Sequence, residues 1–500
     1  MRKADLLDDY CRYLVAWYLP FLRTRYAAEY GRMRANLAEA RVRTMYLFGI
    51  RLLRLHECGK HRMVFLFGLF PTLLFYGTGA KTCVHLGRLE LWKMRRGGML
   101  QMPDDRFFMK TRSGGRPRLF YAVGSREKSR EGAGIPRVSA SLLAALLKMR
   151  DCPYEVVPVR SGEDFPGFFT AFDDVRGRFP LLTVMGEDGP ALFSKGDVLL
   201  FPVPDLRQVE SQYHVLKFLQ KKGVIVCFVL HDVIAVRHPE FFDAALHEEI
   251  RKWLGYVSGF SGILAVSRAS EEDYLLWRKE NRMARGGAFF TSWFHLGSDI
   301  RTPVSSRGLP EGGVEILKEL KRRITFLEVS TIEPRKGYRQ ALAAFERLWD
   351  KGVDVNFVIV GRRGWKMDDF LRRLEGHAER GRRLFWLSDV SDEFLDCLYE
   401  ASSAVLMPSE AEGFGLAVVE GARHGRPLIL RDLPVFREIA GEGATYFSGF
   451  APEDLSDCLE AWLKKHEEGP LPSPEDIRLL SWEESARMLL AALPGGSSRA

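Results

Sequence analysis

The chain has 500 residues, 46% of them hydrophobic and 28% charged, which excludes a disordered chain and exceeds one ordinary core, so two or more domains are expected. The net charge of +8 is uneven: residues 1–100 hold 18 Lys/Arg against 7 Asp/Glu, or +11, which leaves −3 for the other 400. A basic segment joined to a slightly acidic body argues against a nucleic-acid groove through the fold and suits contact with an anionic membrane surface.

Residues 1–60 interleave aromatic and aliphatic groups with arginines, as in "YLVAWYLPFLRTRYAAEYGRMR". Such a basic amphipathic pattern reads as helix, either lying on a membrane or packed on the body with a solvated basic face. Met63–Ala80, "MVFLFGLFPTLLFYGTGA", then carries no charge over 18 residues. That is short for a membrane span, and Pro71 and three glycines disfavour a straight helix. A transmembrane helix, a membrane-dipping segment and a segment buried in protein stay open. Residues 1–105 are thus expected to form a helical, basic, membrane-associated extension. The first 20 residues carry Asp5, Asp8, Asp9 and Arg12 and no clean apolar stretch, so no secretory signal is expected. Seven scattered cysteines, odd in number and without a C-x-x-C pair, read as reduced cytosolic residues, mostly core filler.

From Pro117 short β-rich runs alternate with helical stretches. The first series is "RLFYAV" (Arg118–Val123), "YEVVPV" (Tyr154–Val159), "DVLLF" (Asp197–Phe201), "GVIVCFVL" (Gly223–Leu230) and "GILAV" (Gly262–Val266). After the linker "RTPVSSRGLPEGG" come "ITFLEV" (Ile324–Val329), "VNFVIV" (Val355–Val360), "RLFW" (Arg383–Trp386), "AVLM" (Ala404–Met407) and "PLIL" (Pro427–Leu430). Near-continuous apolar strands between helices indicate parallel sheets covered on both faces. Two such sheets in tandem place a ligand cleft between domains, at the carboxyl ends of the strands. The expected domains are 106–302 and 303–500, with the last helix crossing back.

Candidate site residues follow those strands. Gly132 and Gly134 in "EGAGIPRV" precede a helical run, where glycine lets a phosphate approach a helix N-terminus. His231 and Asp232 follow "GVIVCFVL"; His231 is poised either to contact a ligand or to serve as a structural histidine. Arg335 and Lys336 are adjacent cations in the turn "STIEPRKGY"; they suit a diphosphate or form a solvated loop pair. "PSEAEGFGLAVVEG" (Pro408–Gly421) sets Glu412 before a Gly-Phe-Gly turn and Glu420 eight residues later in an apolar run, where a carboxylate is costly to bury alone.

With these motifs in this order, the chain resembles the retaining glycosyltransferases of the two-Rossmann-domain GT-B type, family four. The resemblance covers about residues 117–490 and rests on "GIPRV", "HDVIAVRHPEFF", "AVSRASEEDY", "FFTSWFHLGSD", "VSTIEPRKGY", "VIVGRRGW" and the run from "LSDVSDEF" to "RPLILRD". Glu412 and Glu420 fit the family's E-x7-E signature. The wording of "IEPRKG" and "RDLPVFRE" is closest to enzymes of bacterial polysaccharide synthesis, often mannosyl- or rhamnosyltransferases. The fold implied is α/β with two Rossmann-like domains facing a cleft, beside the helical N-terminal extension.

The resemblance implies a catalytic group of Glu412, Arg335, Lys336 and His231. Glu412 would meet the donor sugar's hydroxyls, the two cations the leaving diphosphate, and His231 the sugar from the first domain. Donor binding falls to Gly134, Gly413, Phe414, Gly415, Leu416 and Glu420, with Glu420 on the ribose and Val390, in "SDVSDE", near the base. Neither a metal nor a cofactor is implied, since charge on the diphosphate is met by side chains and a helix N-terminus; the sequence lacks a strict Asp-x-Asp. No protein nucleophile is implied. Donor candidates are GDP-mannose or a similar nucleotide sugar, with a glycan or lipid-linked acceptor, at the cytoplasmic face of the inner membrane. Ala417 stands where many relatives have proline, and Pro136 interrupts the first glycine loop. The rival readings are a non-catalytic scaffold on the same fold and a sugar-nucleotide-modifying Rossmann enzyme. The second lacks Gly-x-Gly-x-x-Gly after its first strand, where "YAVGSREKS" stands.

Overall fold

A computed structural model describes the backbone of residues 41–47, 50–58, 61–66, 73–78, 81–86 and 89–90, and the chain over 109–112, 114–123, 134–161, 167–180, 182, 184–283, 289–299 and 308–494. The basic helix expected over the first 40 residues, Gly132 and the domain boundary at 302/303 lie outside the described residues.

The expectation of a helical extension does not hold where the extension is described. Arg41–Leu47 (β1), Ile50–Cys58 (β2), His61–Leu66 (β3), Leu73–Thr78 (β4), Lys81–Leu86 (β5) and Leu89–Glu90 (β6) form an antiparallel sheet in chain order. Four of the gaps between them are two residues long and contain Gly49, Gly59, Gly79 or Gly87. That spacing suits hairpins, and it outweighs the arginine-aromatic pattern taken for a helix. The apolar run Met63–Ala80 is likewise not one helix: Met63 on β3 lies opposite Leu74 on β4. Among the described residues no helix is long and apolar enough to cross a membrane.

The expected pair of α/β sheets is present. Arg118–Ala122 (β7), Glu155–Ser161 (β8), Phe168–Thr170 (β9), Val198–Phe201 (β10), Ile225–Leu230 (β11), Gly262–Ala265 (β12) and Phe290–Trp293 (β13) form the first. Its order is β13-β12-β11-β10-β7-β8-β9, parallel except at the edge pair β8/β9. The second comprises Ile324–Val329 (β14), Val355–Val360 (β15), Leu384–Leu387 (β16), Ala404–Met407 (β17), Leu428–Arg431 (β18) and Thr445–Phe447 (β19). Its order is β16-β15-β14-β17-β18-β19, all parallel.

All six residues of β15 are buried, which is why "VNFVIV" shows no alternation. On one face Phe357 and Ile359 meet Phe345 and Leu348 of the helix Tyr338–Asp350. Val358 and Val360 join the opposite core with Phe394 and Leu398 of the helix Asp392–Ala401.

In both sheets the first strand lies in the interior, the chain winds outward, then returns to the other side. The order reverses between β7 and β10 and between β14 and β17, and ligands of such sheets bind outside the strand ends at that reversal. The last helix, Trp482–Ala492, packs against Gly134–Lys148 of the first unit. Ser485 Oγ donates to the carbonyl of His295 at 2.6 Å, and Arg487 pairs with Asp151 at 2.6 Å.

Candidate active site between the two sheets

Two loops leave the second sheet at its reversal. After β14 the chain makes one tight turn over Pro334–Lys336, then Gly337 at φ 79° starts the next helix. A Cβ on Gly337 would lie 2.3 Å from the carbonyl oxygen of Pro408, so glycine lets this turn close on the loop after β17. Arg431, buried at the end of β18, holds that second loop. Its Nε and Nη2 donate to the carbonyl of Pro408 at 3.0 and 2.9 Å, and Nε also reaches that of Ser409 at 3.1 Å.

The loops meet at Glu412, whose side chain is 7% exposed. Its Oε1 accepts from Lys336 Nζ at 2.5 Å and Ser409 Oγ at 2.8 Å, and its Oε2 from Arg335 Nη1 at 3.1 Å. Arg335 also donates to the carbonyl of Ala411 at 2.9 Å and pairs with Glu333 at 3.2 Å. Burial works to raise the Glu412 pKa, but Lys336 and Arg335 outweigh it and hold it at about 2. Burial pushes the Arg335 pKa down, and Glu412, Glu333 and Asp232 reverse that to a net rise. Beneath them on β14, Glu328 is 1% exposed, and neither carboxyl oxygen has a hydrogen-bond partner among the described residues. Burial drives its pKa well up, with the Glu412 charge adding to the rise and Lys336 opposing it. Glu333 is also raised, first by burial.

Gly413 lies on the seam between the units. A Cβ there would come 2.0 Å from the carbonyl oxygen of His231. The Gly413 carbonyl accepts from Ser267 Oγ at 2.7 Å and Ser270 Oγ at 2.9 Å, at the start of the helix Arg268–Glu280. Glu438 caps that helix from the second unit, accepting from the Arg268 and Ala269 amides at 2.7 and 2.9 Å and meeting His295 at 2.7 Å. The Phe414 ring stands edge-on to His295, centroids 5.7 Å apart. Gly415, at φ 94°, caps the helix Leu416–Arg423, and a Cβ on it would meet Phe436 at 2.7 Å. The structure thus brings the His231 backbone to Gly413. The His231 ring is buried, with Nε2 2.9 Å from the Pro202 carbonyl, and burial lowers its pKa.

Glu420 belongs to a second cluster. It is 4% exposed; Oε1 lies 3.1 Å from Arg137 Nη1 and Oε2 accepts from Tyr399 Oη at 2.9 Å. Burial raises its pKa, countered by Arg137. His424 stacks on Tyr399 at 5.0 Å and pairs with Asp396 at 3.3 Å. Arg137 is carried by Gly134–Lys148, whose first residue, exposed Gly134, has φ 54°. Pro136 fits in the first turn of that helix, where its missing N–H would be unsatisfied anyway. Half-buried Val390 lies two residues before Asp392, whose field reaches Arg137. Arg137, Tyr399, Ser409, Glu333, Arg431 and Glu438 were not singled out in the sequence. Arg137, Glu333, Ser409, Arg431 and Glu438 stand inside short motifs quoted above, and Tyr399 lies within the long run from "LSDVSDEF" to "RPLILRD".

Residues 315–473 match the family described as Glycosyl transferases group 1. The serotype-specific mannosyltransferase WbdA of Escherichia coli is 38% identical over 366 residues, 72% of this chain and 44% of that protein. The chain therefore spans under half the length of that relative. O-antigen chain mannosyltransferase B of Escherichia coli is 36% identical over 120 residues, 23% of this chain and 30% of that one. Alr3699/HepE of Anabaena, solved in complex with UDP-glucose, covers 75% of this chain and 100% of its own, with a TM-score of 0.51 and 15% identity, a likeness of fold. With two parallel sheets of matching winding, and an E-x7-E pair at the reversal of the second, the chain has the GT-B fold, and its residues 315–473 fall within the group 1 glycosyl transferases.

Proposed function

We propose that the chain transfers a hexose from a nucleotide-sugar donor to a glycan or lipid-linked acceptor, with retention, in the synthesis of a bacterial cell-surface polysaccharide. The observation that carries this is Glu412, kept ionised in a buried setting by Arg335 and Lys336 between the ends of β14 and β17. An ionised carboxylate there can accept hydrogen bonds from sugar hydroxyls. The adjacent cations are positioned to turn to a diphosphate and stabilise the charge it gains on leaving. In the reaction the bond from the anomeric carbon to the diphosphate oxygen breaks, and the acceptor oxygen bonds to that carbon on the same face. The acceptor's proton passes to the departing diphosphate, so no protein nucleophile is required, and two side-chain cations take the role a metal would fill. The names of the Escherichia coli relatives support mannose as the sugar and O-antigen-like glycans as the product class. The +11 charge of residues 1–100 supports docking on the cytoplasmic face of the inner membrane.

The test is a panel of nucleotide sugars scored by thermal shift and then by transfer to acceptor glycans. A donor at a hundred times its dissociation constant stabilises by about 2.7 kcal/mol, and GDP-mannose is expected to score. If no nucleotide sugar shifts the melt or is consumed, the proposal is wrong.

A further inference from the structure

Glu420 cannot serve a ribose as it stands. Its side chain is 5% exposed, one carboxyl oxygen is met by Arg137 and the other by Tyr399. Tyr399 belongs to the same unit as Glu420, on the helix Asp392–Ala401. Arg137 belongs to the other unit, on the helix Gly134–Lys148. A ligand can therefore reach the exposed edge of Glu420 only if the Arg137 guanidinium leaves, and Arg137 moves with the first unit. The guanidinium has reason to stay: besides Glu420 it feels Asp392 and Asp396, and without it Glu420 would be a buried carboxylate lacking a counter-charge. The contacts of Gly413 with Ser267 and Ser270, and of Glu438 with Arg268 and Ala269, join the same two units. None of them occupies a carboxylate assigned to the donor; the Arg137–Glu420 pair does.

We propose that Arg137 competes with the donor's nucleoside for Glu420, acting as a latch that holds the two units together until a nucleoside diphosphate takes its place. This rests on the reading above that Glu420 faces the donor. The chemistry that opens the latch is a vicinal diol, which can donate two hydrogen bonds to the carboxylate.

The experiment compares the full-length wild type with Arg137→Met and Arg137→Lys. GDP and UDP are titrated calorimetrically, and the radius of gyration without nucleotide is measured by small-angle scattering. A latch closed in about nine molecules in ten lowers apparent affinity about tenfold. Arg137→Met should therefore bind the preferred nucleotide about tenfold more tightly, with donor KM lowered and kcat little changed, and its radius of gyration should exceed that of the wild type. Arg137→Lys should fall between, and it decides the question if the Met variant does not fold. Weaker or unchanged binding in both variants overturns the proposal and makes Arg137 a nucleotide ligand or a structural residue. If the wild type binds neither nucleotide, the donor-site reading fails and the competition with it.

Discussion

At the scale of single residues, charge is the deciding quantity. Glu412 has its pKa held down from 4.5 to about 2, a difference worth roughly 3 kcal/mol. Because the folded value is depressed, that contribution is fully present above the unfolded value of 4.5 and is lost as pH falls toward 2. Glu412→Gln should be less stable than the wild type at pH 7, and the gap between their denaturant midpoints should narrow once pH drops below 4.5; a gap constant with pH would detach the stability from the charge. In kinetics, Arg335→Ala and Lys336→Ala should each lower kcat on the order of a hundredfold, as loss of one transition-state donor commonly does. Near-normal rates in both would remove them from the chemistry. Glu420→Gln should act mainly on donor KM and Glu412→Gln on kcat, since only the contacts at the reacting carbon strengthen as the bond to diphosphate breaks. Equal losses of nucleoside diphosphate affinity in the two variants would dissolve that division. How far these roles could be read beforehand differs by residue. Glu412, Glu420, Arg335 and Lys336 stand in contiguous motifs with fixed spacing. Arg137 and Tyr399 come to Glu420 from 283 and 21 residues away in number, and no local pattern encodes such a meeting.

At the scale of elements, glycines and buried rings govern how the loops are held. Gly337→Ala has to fit a Cβ 2.3 Å from a carbonyl oxygen while keeping φ 79°, two penalties each of about 1 kcal/mol or more. It should lower both the melting temperature and kcat, because the displaced turn carries Arg335 and Lys336; unchanged kinetics would mean the turn does not position them. Phe345 stacks on Phe357 at 4.3 Å with no exposure, so Phe345→Ala should cost about 3–5 kcal/mol, read from urea unfolding, with little effect on the residual fold of the first unit. The long buried strands were legible because a strand covered on both faces shows as an apolar run. β9, β13 and β19 were not: "FFT", "FTSW" and "TYF" are short, partly exposed edge strands with polar positions. Over the strands between residues 41 and 90 the pattern differs from a helix in period: two-residue glycine gaps, more than side-chain composition, distinguish a hairpin series from a helix.

At the scale of the whole molecule, the two sheets enclose the cleft, while the excess of positive charge lies on residues 1–100. Transfer should survive EDTA if Arg335 and Lys336 carry the charge of the leaving group; strict dependence of the chemical step on magnesium or manganese would contradict this. A chain beginning at Asp104 should lose binding to anionic vesicles at low salt and keep donor binding, with each Lys/Arg near such a surface worth about 1 kcal/mol. Retained vesicle binding would place the membrane contact elsewhere. The crossing back of Trp482–Ala492 onto Gly134–Lys148 has a mechanical consequence. The polypeptide passes between the sheets once between β13 and β14 and again before this helix. A body held at two points swings most easily about the line joining them, so any parting of the units is expected to follow one axis. Cutting the backbone at one pivot would leave the halves together but free to twist, and transfer would slow although every residue of the cleft remained.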